Sequence, residues 1–201
     1  MKILVFVQQE DGNINPVSLE AISGAQEIAS QCDGTLASLT FNTSAAEKLT
    51  AYNFSEVILA NSSDLNQYSP LHFVKALQDI MATESYDLLV MGHTYEARDW
   101  VPRLSARLDI PFISDCVGFM PENGLTLVRS IYQGKFNADV TVEEKAIISF
   151  QSGAFRADGI QSGSAAVRNV SVDISAISET IKPGEKFQEA EQSVDLSQAD
   201  I

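Results

Sequence analysis

Apolar positions in the first 115 residues keep switching between two spacings. Residues 3–7, Ile-Leu-Val-Phe-Val, form an unbroken apolar run, the composition of a strand covered on both faces. Asn15-Pro16 predicts a helix start, with Asn15 as N-cap and Pro16 at the first helical position. The stripe Leu19, Ile22, Ala25, Ile28 follows, and Asp33-Gly34 ends it. Residues 36–41 read as a second strand. Ser44-Ala45-Ala46-Glu47 has capping-box spacing and predicts a short helix ending near Tyr52. Residues 57–60 read as a third strand, before a polar loop over 61–68. Ser69-Pro70 caps a helix whose stripe Phe73, Val74, Leu77, Ile80, Met81 keeps the 3.6-residue period. Residues 88–91 make a fourth strand and 110–115 a fifth. The spacing between them predicts a helix over about 99–108, with Asp99 as N-cap and Pro102 in the first turn. Such alternation means α/β: a doubly wound, mostly parallel, Rossmann-like sheet with right-handed crossovers.

The pattern changes near residue 116. Residues 125–132 and 136–142 read as strands joined by a turn at Gln133-Gly134-Lys135. Phe136, Ala138, Val140 and Val142 alternate with polar neighbours, as on a strand with one solvated face. Glu143-Glu144-Lys145 turns the chain into 146–150, and the group is expected to form an antiparallel β extension of the parallel sheet. Residues 158–164, rich in Gly and Ser, read as a loop. The expected division is one α/β domain over 1–178 and an acidic linker over 179–201. That last stretch carries six acidic and two basic residues. Ala199-Asp200-Ile201 resembles the first step into another strand, so the chain is expected to be a fragment that stops before a second domain.

Charge narrows the function. The 201 residues hold 27 Asp plus Glu against 13 Lys plus Arg, a net −14. Nucleic acid and anionic lipid both need clustered basic residues, so neither is an expected partner. No apolar stretch approaches the ~20 residues that span a bilayer. The opening apolar run is too short for a signal-peptide core, and Cys32 and Cys116 form no CxxC pair, which favours a reducing, cytoplasmic setting.

Candidate chemistry is sparse. In an open parallel sheet ligands bind beyond the carboxyl ends of the strands, here residues 8–12, 42–44, 61–64 and 92–96. GxGxxG and GxxxxGK[ST] are both absent. Gly92 stands alone, and a lone glycine after a strand is read as permitting a tight turn. His72 reads as a surface or satisfied residue. His93 sits where a general base could work, yet no serine or cysteine motif accompanies it. No spacing suits a metal, and no catalytic residue is expected. The densest polar cluster is Arg98-Asp99-Trp100-Val101-Pro102-Arg103-Leu104-Ser105-Ala106-Arg107-Leu108. Asp99 and Arg103 can pair, at about 0.3–0.5 kcal/mol if exposed. The cluster is either a solvated helix side or a docking surface, since Trp and Arg anchor interfaces.

Those residues carry a family resemblance. The chain resembles the amino-terminal domain of the electron transfer flavoprotein alpha subunit, from Met1-Lys2-Ile3-Leu4-Val5-Phe6-Val7 and Asn15-Pro16-Val17-Ser18-Leu19-Glu20 through Gly92 and the 98–108 cluster to Ser114-Asp115. Arg129-Ser130-Ile131-Tyr132-Gln133-Gly134 and Ser152-Gly153-Ala154-Phe155 stand where two other family segments do. Residues 194–201 are similar to the junction that enters the family's flavin domain. The chain departs from the family where Lys135 and Phe136, not asparagine, follow Gly134.

The resemblance implies a heterodimer with a beta subunit, FAD held mainly by a carboxy-terminal domain beyond this chain, and no cofactor in this segment. It implies an electron carrier, not an enzyme, that shuttles electrons from flavin dehydrogenases of the acyl-CoA dehydrogenase type, as in fatty acid β-oxidation, to a quinone reductase. Arg98, Asp99, Trp100, Arg103 and Tyr132 are the expected interface residues. The competing class is a free-standing adenine-nucleotide-binding protein of the universal-stress type, which needs a glycine-rich loop that 92–99 does not supply.

Overall fold

A computed structural model describes residues 1–121, 124–178 and 184. The expected linker at 179–201 and its terminal Ala199-Asp200-Ile201 therefore lie outside the described residues, Gly184 apart.

Eleven strands and four α-helices alternate along the described chain. They are β1 (Lys2–Phe6), β2 (Gln9–Glu10), β3 (Asn13–Ile14), α1 (Pro16–Gln31), β4 (Thr35–Thr40), α2 (Thr43–Leu49), β5 (Val57–Ala60), α3 (Pro70–Thr83), β6 (Leu88–Gly92), α4 (Tyr95–Leu108), β7 (Phe112–Met120), β8 (Leu125–Ile131), β9 (Phe136–Val142), β10 (Ala146–Phe150) and β11 (Val167–Val170). Nine strands make one sheet in the order β11-β5-β4-β1-β6-β10-β7-β8-β9. It is parallel from β11 to β7 and antiparallel from β7 to β9. The expected α/β class, mostly parallel with an antiparallel extension, is what the chain forms. β2 and β3 form a separate ribbon around Asp11-Gly12, both at positive φ as a tight two-residue hairpin requires.

Two apolar layers flank the sheet. Ile22, Ala25 and Ile28 of α1 and Leu49 of α2 pack on one face with Ile3, Val5 and Val90. Phe73, Val74 and Leu77 of α3 and Trp100, Val101 and Leu104 of α4 pack on the other with Leu4, Phe6 and Leu39. Residues of β1 thus point alternately into both layers, which explains the unbroken apolar run.

Three expectations change. Helix α2 begins earlier than the capping-box reading, because the Asn42 side chain, not Ser44, accepts the Ala45 N–H at 3.1 Å. Helix α4 starts at Tyr95 with Thr94 as N-cap, so Pro102 lies inside it. The proline is exposed, and water can satisfy the Arg98 carbonyl that loses its intrahelical donor. Strand β10 does not join the antiparallel extension: it inserts between β6 and β7, parallel to both and wholly buried. Residues 158–164, read as a loop, hold only the end of a single 3-10 turn at Ala157–Gly159; beyond them comes a strand the sequence reading did not include, β11, which pairs with β5 at the sheet edge. There Arg168 donates to Glu56 at 2.6 and 2.9 Å and to Glu84 at 2.9 Å.

Candidate functional site

Strand order reverses between β1 and β6, so the crevice beyond their carboxyl ends is where this class of sheet holds a ligand. Here the chain narrows it on the β6 side. Gly92, the last residue of β6, lies so near α1 that an added Cβ would stand 2.9 Å from the Val17 carbonyl oxygen and 2.9 Å from Val17 Cγ1. Its φ is not positive, so its lack of a side chain serves close approach and not a turn, a correction to the sequence reading. The Thr94 hydroxyl donates to Gln8 Oε1 at 2.6 Å, tying the end of β6 to the end of β1. The Gln8 N–H donates to Ser18 Oγ at 3.0 Å, and the Asn15 N–H to the Gln8 carbonyl at 3.0 Å.

The helix end itself has nothing to give an anion. Pro16 lacks an N–H, Val17 N–H donates to Asn15 Oδ1 at 2.9 Å, and those of Ser18 and Leu19 go to the Asn15 carbonyl. A diphosphate would have to displace the chain's own cap. This helix end therefore does not fit the diphosphate of a dinucleotide such as the FAD that the resemblance implies, and no redox step is routed through it.

On the far side of the switch point, His93 Nδ1 lies 2.8 Å from Ser149 Oγ, and Ser149 Oγ accepts the Asp115 N–H at 3.1 Å. Asp115 sits at φ 59, at the irregularity where β7 leaves β10 and turns to pair with β8. Its Oδ1 is 3.9 Å from His93 Nε2, beyond hydrogen-bond reach. Burial holds the His93 pKa below its ordinary value, opposed by Asp115 and reinforced by Arg98 and Arg129. A serine does accompany His93, then, although 56 residues separate them and no short motif could show it. The serine–histidine–aspartate set is not a hydrolytic one: Ser149 has no accessible surface, and its oxygen already serves a backbone amide. The cluster pins β6, β10 and the β7 bulge together. His72 is buried, with Nδ1 3.1 Å from the Asp64 carbonyl, so it is satisfied and not at the surface. Among the described residues no group of His, Cys, Asp and Glu has metal-site geometry, and no helix is long and apolar enough to cross a membrane.

The five expected interface residues part company. Trp100 has no accessible surface and packs edge-on against Phe6 at 5.2 Å, so it is a core residue and not a surface anchor, a correction to the sequence reading. Arg98, Asp99 and Arg103 are exposed on α4. Asp99 accepts the Tyr68 hydroxyl at 2.7 Å and meets Arg103 Nη2 at 3.5 Å. Arg98 lies 5.5 Å from the ring centre of Tyr95, itself 87% exposed. Tyr132 is 75% exposed at the tip of the β8–β9 hairpin, edge-on to Phe136, 62% exposed, at 6.0 Å. Tyr95 and Phe136 were not foreseen; exposure of a large ring is decided by packing, which residue type does not reveal.

A cleft of about 750 Å³ opens beyond the ends of β1 and β4. Phe6, Phe41 and Phe73, all nearly buried, line it, Glu10, Asp11 and Glu96 contribute carboxylates, and no Lys, Arg or His is among its described lining residues.

Known proteins place this geometry. The profile of the electron transfer flavoprotein domain family matches residues 3–175. The alpha subunit of the electron transfer flavoprotein of Bacillus subtilis is 26% identical over 208 residues, covering 100% of this chain and 62% of its own length. Protein FixB of Clostridium saccharobutylicum is 26% identical over 206 residues, covering 99% and 62%. The LctC subunit of the lactate dehydrogenase (NAD(+),ferredoxin) of Acetobacterium woodii is 27% identical over 146 residues, covering 70% and 35%. The chain thus spans about 62% of the length of the two relatives it matches from end to end.

Proposed function

Since the chain belongs to the electron transfer flavoprotein domain family, we propose that it serves as the amino-terminal scaffold of an alpha subunit, pairing with a beta subunit and supporting the domain that carries FAD. The flavin performs the redox step, and this segment supplies position and contact surface. In the assembly, electrons pass from flavin dehydrogenases of the acyl-CoA dehydrogenase type to a quinone reductase. The acidic stretch 179–201 is the tether to the flavin domain.

One observation carries the scaffold reading: at the switch point the first amides of α1 are spent on Asn15 and Val17 abuts Gly92, so no anion-holding turn is offered. That geometry also weighs against the universal-stress alternative, whose phosphates need such a turn. The proposed contact surface is the exposed side of α4, Arg98, Asp99 and Arg103, with Tyr132 at the hairpin tip. Their exposure supports this role.

The test is co-expression of the full-length alpha chain with a beta subunit, followed by size-exclusion chromatography and flavin absorbance. A one-to-one flavoprotein is expected. Arg98→Glu with Arg103→Glu should weaken pairing about tenfold or more with little change in thermal stability, because the Asp99–Arg103 pair is solvated. Residues 1–201 alone should be colourless. A stoichiometric flavin band retained by them would defeat the scaffold reading.

A further inference from the structure

The segment that follows β10 crosses the edge of the sheet, held tightly on one side and lightly on the other. On the side of α1 and α2 the buried Gln26 accepts the Gln161 N–H at 2.7 Å. Its Nε2 donates to the Gln161 carbonyl at 3.2 Å and to the Asn53 carbonyl at 3.3 Å. The Gly163 N–H donates to the Ala51 carbonyl at 2.9 Å, and a Cβ on Gly163 would stand 2.6 Å from Asn53 Cα, so only glycine fits. Past that point the hold weakens. β11 adds four residues to the sheet through β5 alone, alternately exposed and half-buried. Among the described residues from 161 to 178, Ile174 is the one that is buried, and it packs into the layer of α3 and α4. Asp173 shapes the turn that presents it, accepting the Ser175 N–H at 3.1 Å and hydroxyl at 2.7 Å. The remaining tie is ionic: Arg168 bridges Glu56 and Glu84, and all three side chains are partly solvated. A segment with so few buried contacts opens at a lower free energy than the sheet it borders.

We propose that residues 164–178 form a latch that undocks as one unit from an intact sheet, hinged at Gly163, clamped by Arg168 and caught by Ile174. Closed, the chain beyond residue 178 starts from the α3 side of the sheet, where Ile174 is seated. Open, it starts from Gly163 on the side of α1 and α2. At ~3.3 Å per extended residue the release adds at most about 50 Å of reach. The undocking stands on these contacts alone. That the released length extends the tether of a flavin domain rests on the scaffold reading.

The experiment is native-state hydrogen exchange of the 201-residue chain, read amide by amide by NMR. Three amides report on three places. Val57 donates to the Ala166 carbonyl at 2.9 Å and is bared when the latch leaves. Asn53 donates to the Gln161 carbonyl at 2.9 Å on the anchored side, and Ile147 to the Pro111 carbonyl at 2.9 Å in the sheet centre. Val57 is expected to be about tenfold or more less protected than Asn53 and Ile147, with little dependence on urea because little surface opens. Raising NaCl to about 0.5 M should lower its protection about twofold by screening the Arg168 clamp. Arg168→Met should lower it about fivefold and abolish the salt response. Ile174→Ala should lower it about thirtyfold. If that variant does not fold, the salt and urea series on the unaltered chain still decide. Val57 and Ile147 equally protected overturns the latch, and Asn53 keeping pace with Val57 overturns the hinge. Either variant leaving Val57 unchanged overturns the clamp or the catch it removes. No result here touches the pairing experiment, so the two readings fail separately.

Discussion

Replacing Gly92 with alanine tests whether the switch-point crevice is narrowed on the β6 side by steric fit. The added Cβ would lie 2.9 Å from Val17 Cγ1, 2.9 Å from the Val17 oxygen and 3.0 Å from its carbonyl carbon. Ordinary contacts begin at 3.4 Å, so about half an ångström must be found, and two of the three atoms are backbone. A methyl forced into a packed site costs about 1–3 kcal/mol. The φ of Gly92 is not positive, so alanine also recovers about 0.4–1 kcal/mol by restricting the unfolded chain. The expected net loss is about 1–2 kcal/mol. At about 2–4 °C per kcal/mol for a domain of this size, the melting temperature should fall by about 2–8 °C. The assay is urea unfolding followed by circular dichroism, with an unchanged m-value to show that the same surface is exposed. Gly118→Ala is the control: nothing lies within 4 Å of its added Cβ, so it should be neutral or slightly stabilising. Equal or greater stability for Gly92→Ala would refute the reasoning, because the α1 terminus would then have room that the structure denies it.

His93 is held below its ordinary pKa of 6.5, chiefly by burial, so in mildly acid solution the unfolded chain binds a proton that the folded one refuses. Its contribution is present above about pH 6.5 and lost as pH falls toward the folded value. His93→Asn should flatten the stability slope below pH 6.5, and an unchanged slope would argue against burial as the cause. Arg168→Met should cost about 1 kcal/mol, discounted because the pair with Glu56 is partly solvated. Hydrogen exchange should quicken first in β11. The Glu56 pKa, lowered by the Arg168 hydrogen bond, should rise toward 4.5 in that variant. Burial pushes the Cys116 thiol up to about 12, whereas Cys32 is half exposed. Iodoacetamide should therefore label Cys32 alone in the native protein and both in urea, as mass spectrometry would show.

Several elements were legible because their signals are local. Asn15-Pro16 and Ser69-Pro70 announce helices through groups two or three residues away, and the Asn15 and Ser69 side chains accept those amides in the structure. The start of α4 was legible in principle: Ala97, Trp100, Val101 and Leu104 are spaced as one helix face behind Thr94. Confining Pro102 to the first turn hid it, since a proline mid-helix is tolerable when solvent reaches the freed carbonyl. The same error made Trp100 look like a surface anchor, when its spacing with Val101 and Leu104 marks the buried face.

Placement across the sheet was beyond the sequence. Ala146–Phe150 looks like the natural continuation of a meander, and only pairing to β6 and β7 puts it in the centre of the sheet. The apolar run Ala146-Ile147-Ile148 was the one hint, because a strand buried on both faces needs no polar alternation. The Ser149–His93 contact and the β7 bulge at Asp115 follow from that insertion. Local pattern determined which segments are strands and helices, since capping and periodicity act over a few residues. Only the tertiary structure decided that Val17 and Thr94 narrow the ligand crevice on its β6 side and that an acidic cleft opens beside it. Those outcomes depend on which chain ends meet, and contacts between distant residues leave no periodic trace in either segment.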